Sequence, residues 1–169
     1  NNYRNSQAKY FMPSVDEWYK AAYFDPTNGV YYDYPTGSDE VPRLVRSGTA
    51  AGSAVYDLHI FGNGPADIMQ AGGLSPYGTM AQGGNASEWE ETDYDLVNDS
   101  SSSFRGSRGG WWGLTHGLML SRLRNQRNPT RGDVTEGFRV ASIAKIPEPT
   151  SLLLGALASV GVLLRRRCE

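Results

Sequence analysis

The first regular pattern along the chain is a helical spacing of apolar residues between positions 15 and 24. Trp18 and two alanines that follow it fall on one face at intervals of three and four residues, which predicts a short helix packed against a core. Ser14 and Glu17 have the spacing of a capping box at its start. Proline and Gly29 follow the apolar positions, so the predicted helix is short.

Glycines and prolines interrupt the chain from residue 30 to 76, where only the segments that begin at Tyr31 and Val55 are predicted as short strands. Near the end of the body, residues 137–143 alternate around Phe138 and predict a strand buried on at least one face. One helix, short strands and long connections together predict a loop-rich α+β fold.

The tail, residues 146–169, has a different pattern of three consecutive blocks. They are a proline-flanked acid at Pro147, Glu148 and Pro149, an apolar run at 152–164, and a basic end at Arg165, Arg166 and Arg167. The apolar run predicts a helix of about 20 Å, which spans a hydrocarbon core of about 30 Å only marginally. The arginines are expected to stay on the cytoplasmic side. A buried core helix is the alternative, but only Ser159 interrupts the run.

Composition limits the classes of function that remain. With 16 basic and 18 acidic residues, the net charge of -2 does not suggest a nucleic-acid partner. Twenty glycines and ten tyrosines fit a fold held by aromatic packing. The only cysteine, Cys168, lies in the tail, so the body has neither a disulfide nor thiol chemistry. We therefore expect one domain at 1–145 and a sorting or membrane tail at 146–169.

The first residues, 1–11, contain neither an initiating Met nor an apolar export signal. We expect this sequence to be the C-terminal part of a longer protein, with a signal and part of the domain upstream. The domain is then N-terminally incomplete.

Three segments of the body resemble a known family, in the order in which that family has them. They are FMPSVDEWYKAAYF at 11–24, SPYGTMAQGGNASEWEETDYD at 75–95, and RGGWW at 108–112 with arginines and GFRVAS after it. The chain from about residue 8 to 143 thus resembles the formylglycine-generating enzyme family, or sulfatase-modifying factor domain. That resemblance implies a C-type lectin-like fold.

The order of blocks in the tail closely resembles the PEP-CTERM sorting signal of exported bacterial proteins. This resemblance implies that a membrane-embedded enzyme of the exosortase type recognises and cleaves the tail. The expected location is the cell envelope or the extracellular space, with the single C-terminal segment as a transient or permanent anchor.

The resemblance does not extend to the family's oxidase chemistry. Oxidase members hold copper with two cysteines that follow the double glycine, whereas residues 111–120 here contain none. We expect no copper and predict a non-catalytic member, a pseudoenzyme. The alternative is a metal-dependent oxidoreductase that uses His116 together with residues upstream of this sequence, or that holds a metal with His59, His116 and an acid.

A calcium site is the second expectation that comes from the resemblance. It would use the carbonyl oxygens of Gly84 and Ala86 and the carboxylate of Glu88. Ala81 stands where the family usually has Asn or Asp, so the site would be weak. The alternative is a glycine turn capped by Asn85, with Glu88 in an internal hydrogen bond or ion pair.

Charges are segregated after residue 87. Acids occupy 88–99 with no base between them, and bases occupy 105–131 with no acid. The two blocks could pair, or form a two-signed face for a polar ligand. The interpretation we favour from sequence is exposed loops with weak ion pairs.

Aromatic and basic residues after the double glycine form the candidate binding surface. The predicted ligand-binding residues are Trp111, Trp112, His116, Arg122 and Arg124. Indole faces and guanidinium groups suit sugars and anionic groups, so the expected partners are extracellular polysaccharide or other surface proteins. The alternative for the two tryptophans is packing in the core against Phe138.

Overall fold

The structure is a computed structural model that describes residues 4–58 and 64–143. The predicted apolar helix of the tail and the sorting residues lie outside these ranges. Within the described ranges, none of the helices has both the length and the apolar character that crossing a bilayer requires.

Helix α1 spans Val15–Tyr23, close to the predicted bounds. The predicted capping box is confirmed, because Ser14 Oγ accepts from the Glu17 amide at 3.3 Å and the Glu17 carboxylate accepts from the Ser14 amide at 2.8 Å. Trp18 lies on the buried face. The helix ends where Phe24 turns to extended backbone and enters the first strand.

Eight short strands follow in the described part of the chain, and loops connect them. They are β1 Phe24–Asp25, β2 Val30–Tyr31, β3 Arg43–Leu44, β4 Ser53–Ala54, β5 Ser87–Asp93, β6 Arg105–Arg108, β7 Asn125–Arg127 and β8 Glu136–Gly137. Two 3-10 helices, Ile68–Gln70 and His116–Met119, lie in the connections. The domain consists mostly of loops and short strands with little helix, which agrees with the predicted loop-rich α+β fold.

The largest sheet has the strand order β7-β6-β5-β8. Strands β5 and β6 are antiparallel, with Glu88 opposite Arg108, and β8 runs parallel to β5. The register shifts between Trp89 and Asp93, which indicates a bulge in the central strand. The acidic and basic blocks of the sequence thus lie on adjacent strands.

The prediction of a strand at 137–143 is wrong for most of that segment. Only Gly137 belongs to β8, and Ala141 forms a single bridge with Phe11. Phe138 is 68% exposed and Val140 is 58% exposed, so the apolar positions point outward. The inward position between them is taken by Arg139, which is bound to a buried carboxylate.

Two small apolar clusters form the core of the described domain. One contains Trp18, Ala22 and Tyr23 of α1. The other consists of Tyr34, Ala54, Tyr56 and Met119. The hydroxyl of Tyr23 donates to the Met119 carbonyl oxygen at 3.0 Å and so connects the two clusters.

Candidate functional site

Three of the four acids of β5, Glu88, Glu90 and Asp93, are buried, which corrects the favoured expectation of exposed loops for this part of the acidic block. Asp95 and Asp99 after the strand are exposed as expected. Glu90 and Asp93 have no solvent-exposed surface, and Glu88 is nearly as buried. A carboxylate is removed from water only when a partner neutralises it, because the cost of burying an isolated charge is large. Each of these three acids is paired with at least one arginine.

Glu90 lies between two arginines and forms an ion pair with each of them. Its Oε1 accepts from Arg108 Nε at 2.8 Å, and its Oε2 accepts from Arg124 Nε at 2.6 Å. Arg108 also donates to the carbonyl oxygens of Ser121 and Leu123, at 2.9 and 2.7 Å. One carboxylate therefore joins β5, β6 and the segment that leads into β7.

Arg124 has further acceptors on the β5 side of this arrangement. Its Nη1 donates to the Tyr94 carbonyl oxygen at 2.6 Å, and its Nη2 donates to the carbonyl oxygens of Thr92 and Asp93. The guanidinium carbon of Arg124 lies 5.4 Å from the centre of the Tyr94 ring. Arg124, predicted as a ligand-binding residue, is thus held largely by the protein itself.

Glu88 has both carboxylate oxygens in use. Arg139 donates to Oε2 from Nε at 2.5 Å and to Oε1 from Nη2 at 2.6 Å, and the indole Nε1 of Trp18 donates to Oε2 at 2.7 Å. This is the internal ion pair that the sequence left open as the alternative to a calcium ligand. A calcium ion at Glu88 would have to compete with Arg139 for the same oxygens.

The chain bends before Glu88, but the Asn85 side chain binds a distant loop, since its oxygen accepts from the Ala66 amide at 2.8 Å, nineteen residues earlier in the sequence. Gly84 has a φ of +73°, and a Cβ there would overlap the carbonyl oxygen of Val55. Only glycine meets both conditions. The bend places Gly84, one predicted calcium ligand, opposite Val55, whereas Ala86, the other predicted carbonyl ligand, is half-buried and lies next to Gly137.

His116 lies in an aromatic pocket that the sequence did not identify. Its Nδ1 is 2.9 Å from the hydroxyl oxygen of Tyr34, and its ring meets the ring of Tyr56 edge to face at 6.1 Å. Burial raises the pKa of Tyr34, Asp33 adds to this effect, and the positive charge of Arg122 opposes it. The structure therefore brings His116 and Arg122 near the same tyrosine.

Trp111 and Trp112 pack edge to face, with ring centres 5.1 Å apart at an angle of 76°. The Trp111 ring lies over Gly113, where no Cβ would fit. The backbone of Trp112 donates to the Asn85 carbonyl oxygen at 3.1 Å and accepts from the Leu58 amide at 2.7 Å. Both indoles are half-buried, and Phe138, their predicted packing partner in the alternative interpretation, is exposed.

The predicted ligand-binding residues thus divide into two groups. Trp111, Trp112, His116 and Arg122 follow the double glycine and keep half-buried or exposed side chains, whereas Arg124 belongs to the Glu90 arrangement. Tyr34 was missed because it lies more than eighty residues from His116 in the sequence, and no local pattern marks such a pair.

A metal centre has little support among the described residues. Within 4–58 and 64–143, no three His, Cys, Asp or Glu side chains come together as a potential metal site. The loop that begins at Trp111 offers indole, hydroxyl and imidazole groups, which do not fit the thiolate pair that copper needs. His59 lies outside the described residues.

Comparison with known proteins shows the family. Residues 1–144 match the sulfatase-modifying factor enzyme 1-like domain, and residues 145–167 match the PEP-CTERM protein-sorting motif. The chain therefore belongs to the sulfatase-modifying factor family and carries a PEP-CTERM motif at its C-terminal side. That motif implies recognition by an exosortase.

Individual relatives are more distant. Hercynine oxygenase of Mycolicibacterium smegmatis (strain ATCC 700084 / mc(2)155) is 25% identical over 148 residues, which cover 77% of this chain and 32% of that protein. The chain thus spans about a third of the length of this relative.

Two solved structures share the fold. Treponema denticola variable protein 1 has a TM-score of 0.58 at 20% identity, over 85% of this chain and 54% of its own. CarF has a TM-score of 0.57 at 20% identity, over 83% and 51%.

Proposed function

We propose that this chain is an exported domain of the sulfatase-modifying factor family that binds a ligand at the cell surface and does not catalyse a reaction. The PEP-CTERM motif supports export and anchoring through the C-terminal segment. On this proposal an exosortase-type enzyme processes the tail, and the body acts outside the cytoplasmic membrane.

The observation that carries the proposal is the set of residues after the double glycine. Indole, imidazole and guanidinium groups occupy positions 111–122, and the sequence has no cysteine before Cys168. The hydrogen bond with Tyr34 and the contact with Tyr56 hold His116 as part of a packed aromatic group. A histidine whose ring nitrogen is bound to a tyrosine in this way suits ligand binding better than coordination of a redox metal.

The proposed binding surface consists of Trp111, Trp112, His116 and Arg122. The paired indoles provide flat apolar faces, and Arg122 is exposed and provides a positive charge. Such a combination suits a polysaccharide or an acidic patch on another surface protein.

A binding assay on immobilised extracellular polysaccharide and a glycan array tests this surface. Trp112→Ala should lose most of the signal, and Arg122→Ala should weaken it and reduce its dependence on salt. The control is Tyr77→Ala, which removes an exposed tyrosine from a loop next to α1. This variant should bind as the parent does. Equal binding by Trp112→Ala and the parent would contradict the proposal.

The second candidate function is a metal-dependent oxidoreductase whose site includes residues upstream of this sequence. The similarity to hercynine oxygenase, which covers a third of that protein, is the observation in its favour. Metal analysis of the full-length protein separates the two candidates. Stoichiometric iron or copper that is lost in His116→Ala would favour the oxidoreductase, as would conversion of a peptidyl cysteine to an aldehyde.

A further inference from the structure

Two cavities share Tyr94 in their lining and contain none of the residues of the surface proposed above. The larger, of about 620 Å³, is lined by Leu96 and by the side chains of Arg108 and Arg124 among others. The smaller, of about 250 Å³, lies toward Phe104. Because Tyr94 lines both, the two cavities are adjacent, and together they are called the Tyr94 groove.

Tyr94 is both exposed and fixed in position. Its side chain is 42% exposed, while its amide donates to the Phe104 carbonyl oxygen at 2.7 Å and its own carbonyl oxygen accepts from Arg124. The guanidinium of Arg124 also contacts the ring. An aromatic ring held in place loses little conformational entropy when a ligand stacks on it. Tyr94 is therefore a preorganised binding face.

Among the buried side chains at the larger cavity, positive charges outnumber negative ones. Arg108 and Arg124 both line it, and they share the single carboxylate of Glu90. Asp93 does not offset this excess, because it is paired with Arg105 at 2.6 Å. Two guanidiniums against one carboxylate leave one positive charge in a place where water screens it little.

The hydrogen bonds of Arg124 leave room for a ligand. Its Nη1 carries two hydrogens and donates to one acceptor, Tyr94 O, on the exposed side of the group. Asp16, the acid that lines the same cavity, is exposed, so solvent screens its charge more strongly than that of the buried arginines. An anionic group can thus bind at Arg124, and Asp16 can accept from a hydroxyl group.

From this geometry we propose that the Tyr94 groove binds an acidic oligosaccharide. The anionic group of one sugar lies against Arg108 and Arg124, and the apolar face of a neighbouring sugar stacks on Tyr94. The smaller cavity accommodates the next sugar along the chain, and its lining besides Tyr94 is Asp95, Ser103, Phe104 and Gln126. Asp95 is exposed, so solvent screens its charge, and its carboxylate can accept from a hydroxyl group of that sugar. The larger volume falls within the range of about 300–1,000 Å³ that is typical of small-molecule sites.

The groove is a separate site from the surface at Trp111 and Trp112. Neither tryptophan lines the two cavities, and neither does His116. The two proposals therefore fail independently, since Trp112→Ala tests the first and Tyr94→Ala tests the second.

Isothermal titration calorimetry on the full chain tests the groove with three tetrasaccharide probes. One is an oligogalacturonide, the second is the same oligosaccharide with its carboxylates reduced to alcohols, and the third is a sulfated oligosaccharide. Removing the charge from the ligand avoids substituting Arg108 or Arg124, which also hold Glu90 and whose replacement could unfold the domain. The acidic probes should bind at least about tenfold more tightly than the neutral one, a difference of about 1.4 kcal/mol.

The stronger of the two acidic probes identifies the anionic group as carboxylate or sulfate, and either result supports the proposal. Equal binding of neutral and acidic probes, or no binding of either acidic probe, would overturn it.

Protein variants locate the binding. Tyr94→Ala should weaken the acidic probe by about tenfold, whereas Tyr94→Phe keeps the ring and should remain within about twofold of the parent. Tyr77→Ala is the matched control, because Tyr77 is exposed to the same degree, 43%, and does not line the groove. An acidic probe that binds Tyr94→Ala as tightly as the parent would place the site elsewhere and overturn the proposal.

Discussion

The interior of this domain has two parts that are built in opposite ways. Around α1, Trp18 and Tyr23 exclude water by apolar packing. Within the large sheet, the fully buried carboxylate of Glu90 is neutralised by Arg108 and Arg124, whose side chains are only 9% and 11% exposed. Apolar packing tolerates small changes of shape, whereas a buried ion pair depends on every partner. We therefore expect the second region to be the more sensitive to single substitutions.

The largest effect is expected from Glu90→Gln. The substitution preserves size but leaves Arg108 and Arg124 buried without a counter-charge, which should lower the free energy of unfolding by about 3–5 kcal/mol. Urea denaturation followed by circular dichroism measures the loss. Glu40→Gln, at an exposed acid, is the control and should change stability by less than about 0.5 kcal/mol. A loss equally small for Glu90→Gln would mean that water reaches the buried pair.

A smaller effect is expected at the boundary between the two regions, where Trp18 packs with Tyr23 and also donates to Glu88. Trp18→Phe keeps an aromatic ring but removes the hydrogen bond to the carboxylate, at a cost of about 1.5–3 kcal/mol. The same denaturation experiment measures it. Trp18→Phe combined with Glu88→Gln should cost less than the sum of the two single changes, and strict additivity would show that the two side chains are not coupled.

The smallest effect is expected at an exposed ion pair, which provides the contrast with Glu90. The hydrogen bond from Arg4 lowers the pKa of Glu17 from 4.5 to about 2. Because the folded pKa is the lower one, this stabilisation is complete above about pH 5 and is lost as the pH falls toward 2. With the Glu17 side chain 44% exposed, solvent screening limits it to less than about 1 kcal/mol.

Arg4→Gln tests this pair directly. The pKa of Glu17 should rise toward 4.5, and a carboxyl titration followed by NMR measures the change. Since the Ser14 amide still donates to Glu17 in this variant, part of the lowering should remain. A Glu17 pKa that stays near 2 without Arg4 would assign the whole effect to the capping box.

Local features were predictable from sequence. Pairing of the acidic and basic blocks was one of the alternatives that the sequence left open, but the burial of the acids and their individual partners could not be predicted. The helix at Val15–Tyr23 and its capping box follow from residues three or four positions apart. The acids of β5 resemble a solvated loop when they are read alone, because Glu90 meets Arg108 and Arg124 only after the sheet has formed. Burial of these acids is a property of the tertiary structure.

The candidate site shows the same limit. The residues after the double glycine could be identified by type, but their partner Tyr34 lies in a glycine- and proline-rich segment with no distinguishing pattern. The strand predicted at 137–143 failed for a related reason. The alternation of apolar and polar residues showed which side chains share a face of the segment. The face with Arg139 points inward because Arg139 is bound to the buried carboxylate of Glu88.

The bridge between Phe11 and Ala141 has a mechanical consequence for a protein with a C-terminal sorting motif. Two backbone hydrogen bonds, at 3.1 and 2.8 Å, fasten these positions to each other. Tension applied through the C-terminal side would act on this bridge and on the Arg139 link to Glu88 before it reached strand β8. A force applied at the C-terminal side would therefore be borne by contacts at the edge of the domain before the main sheet is loaded.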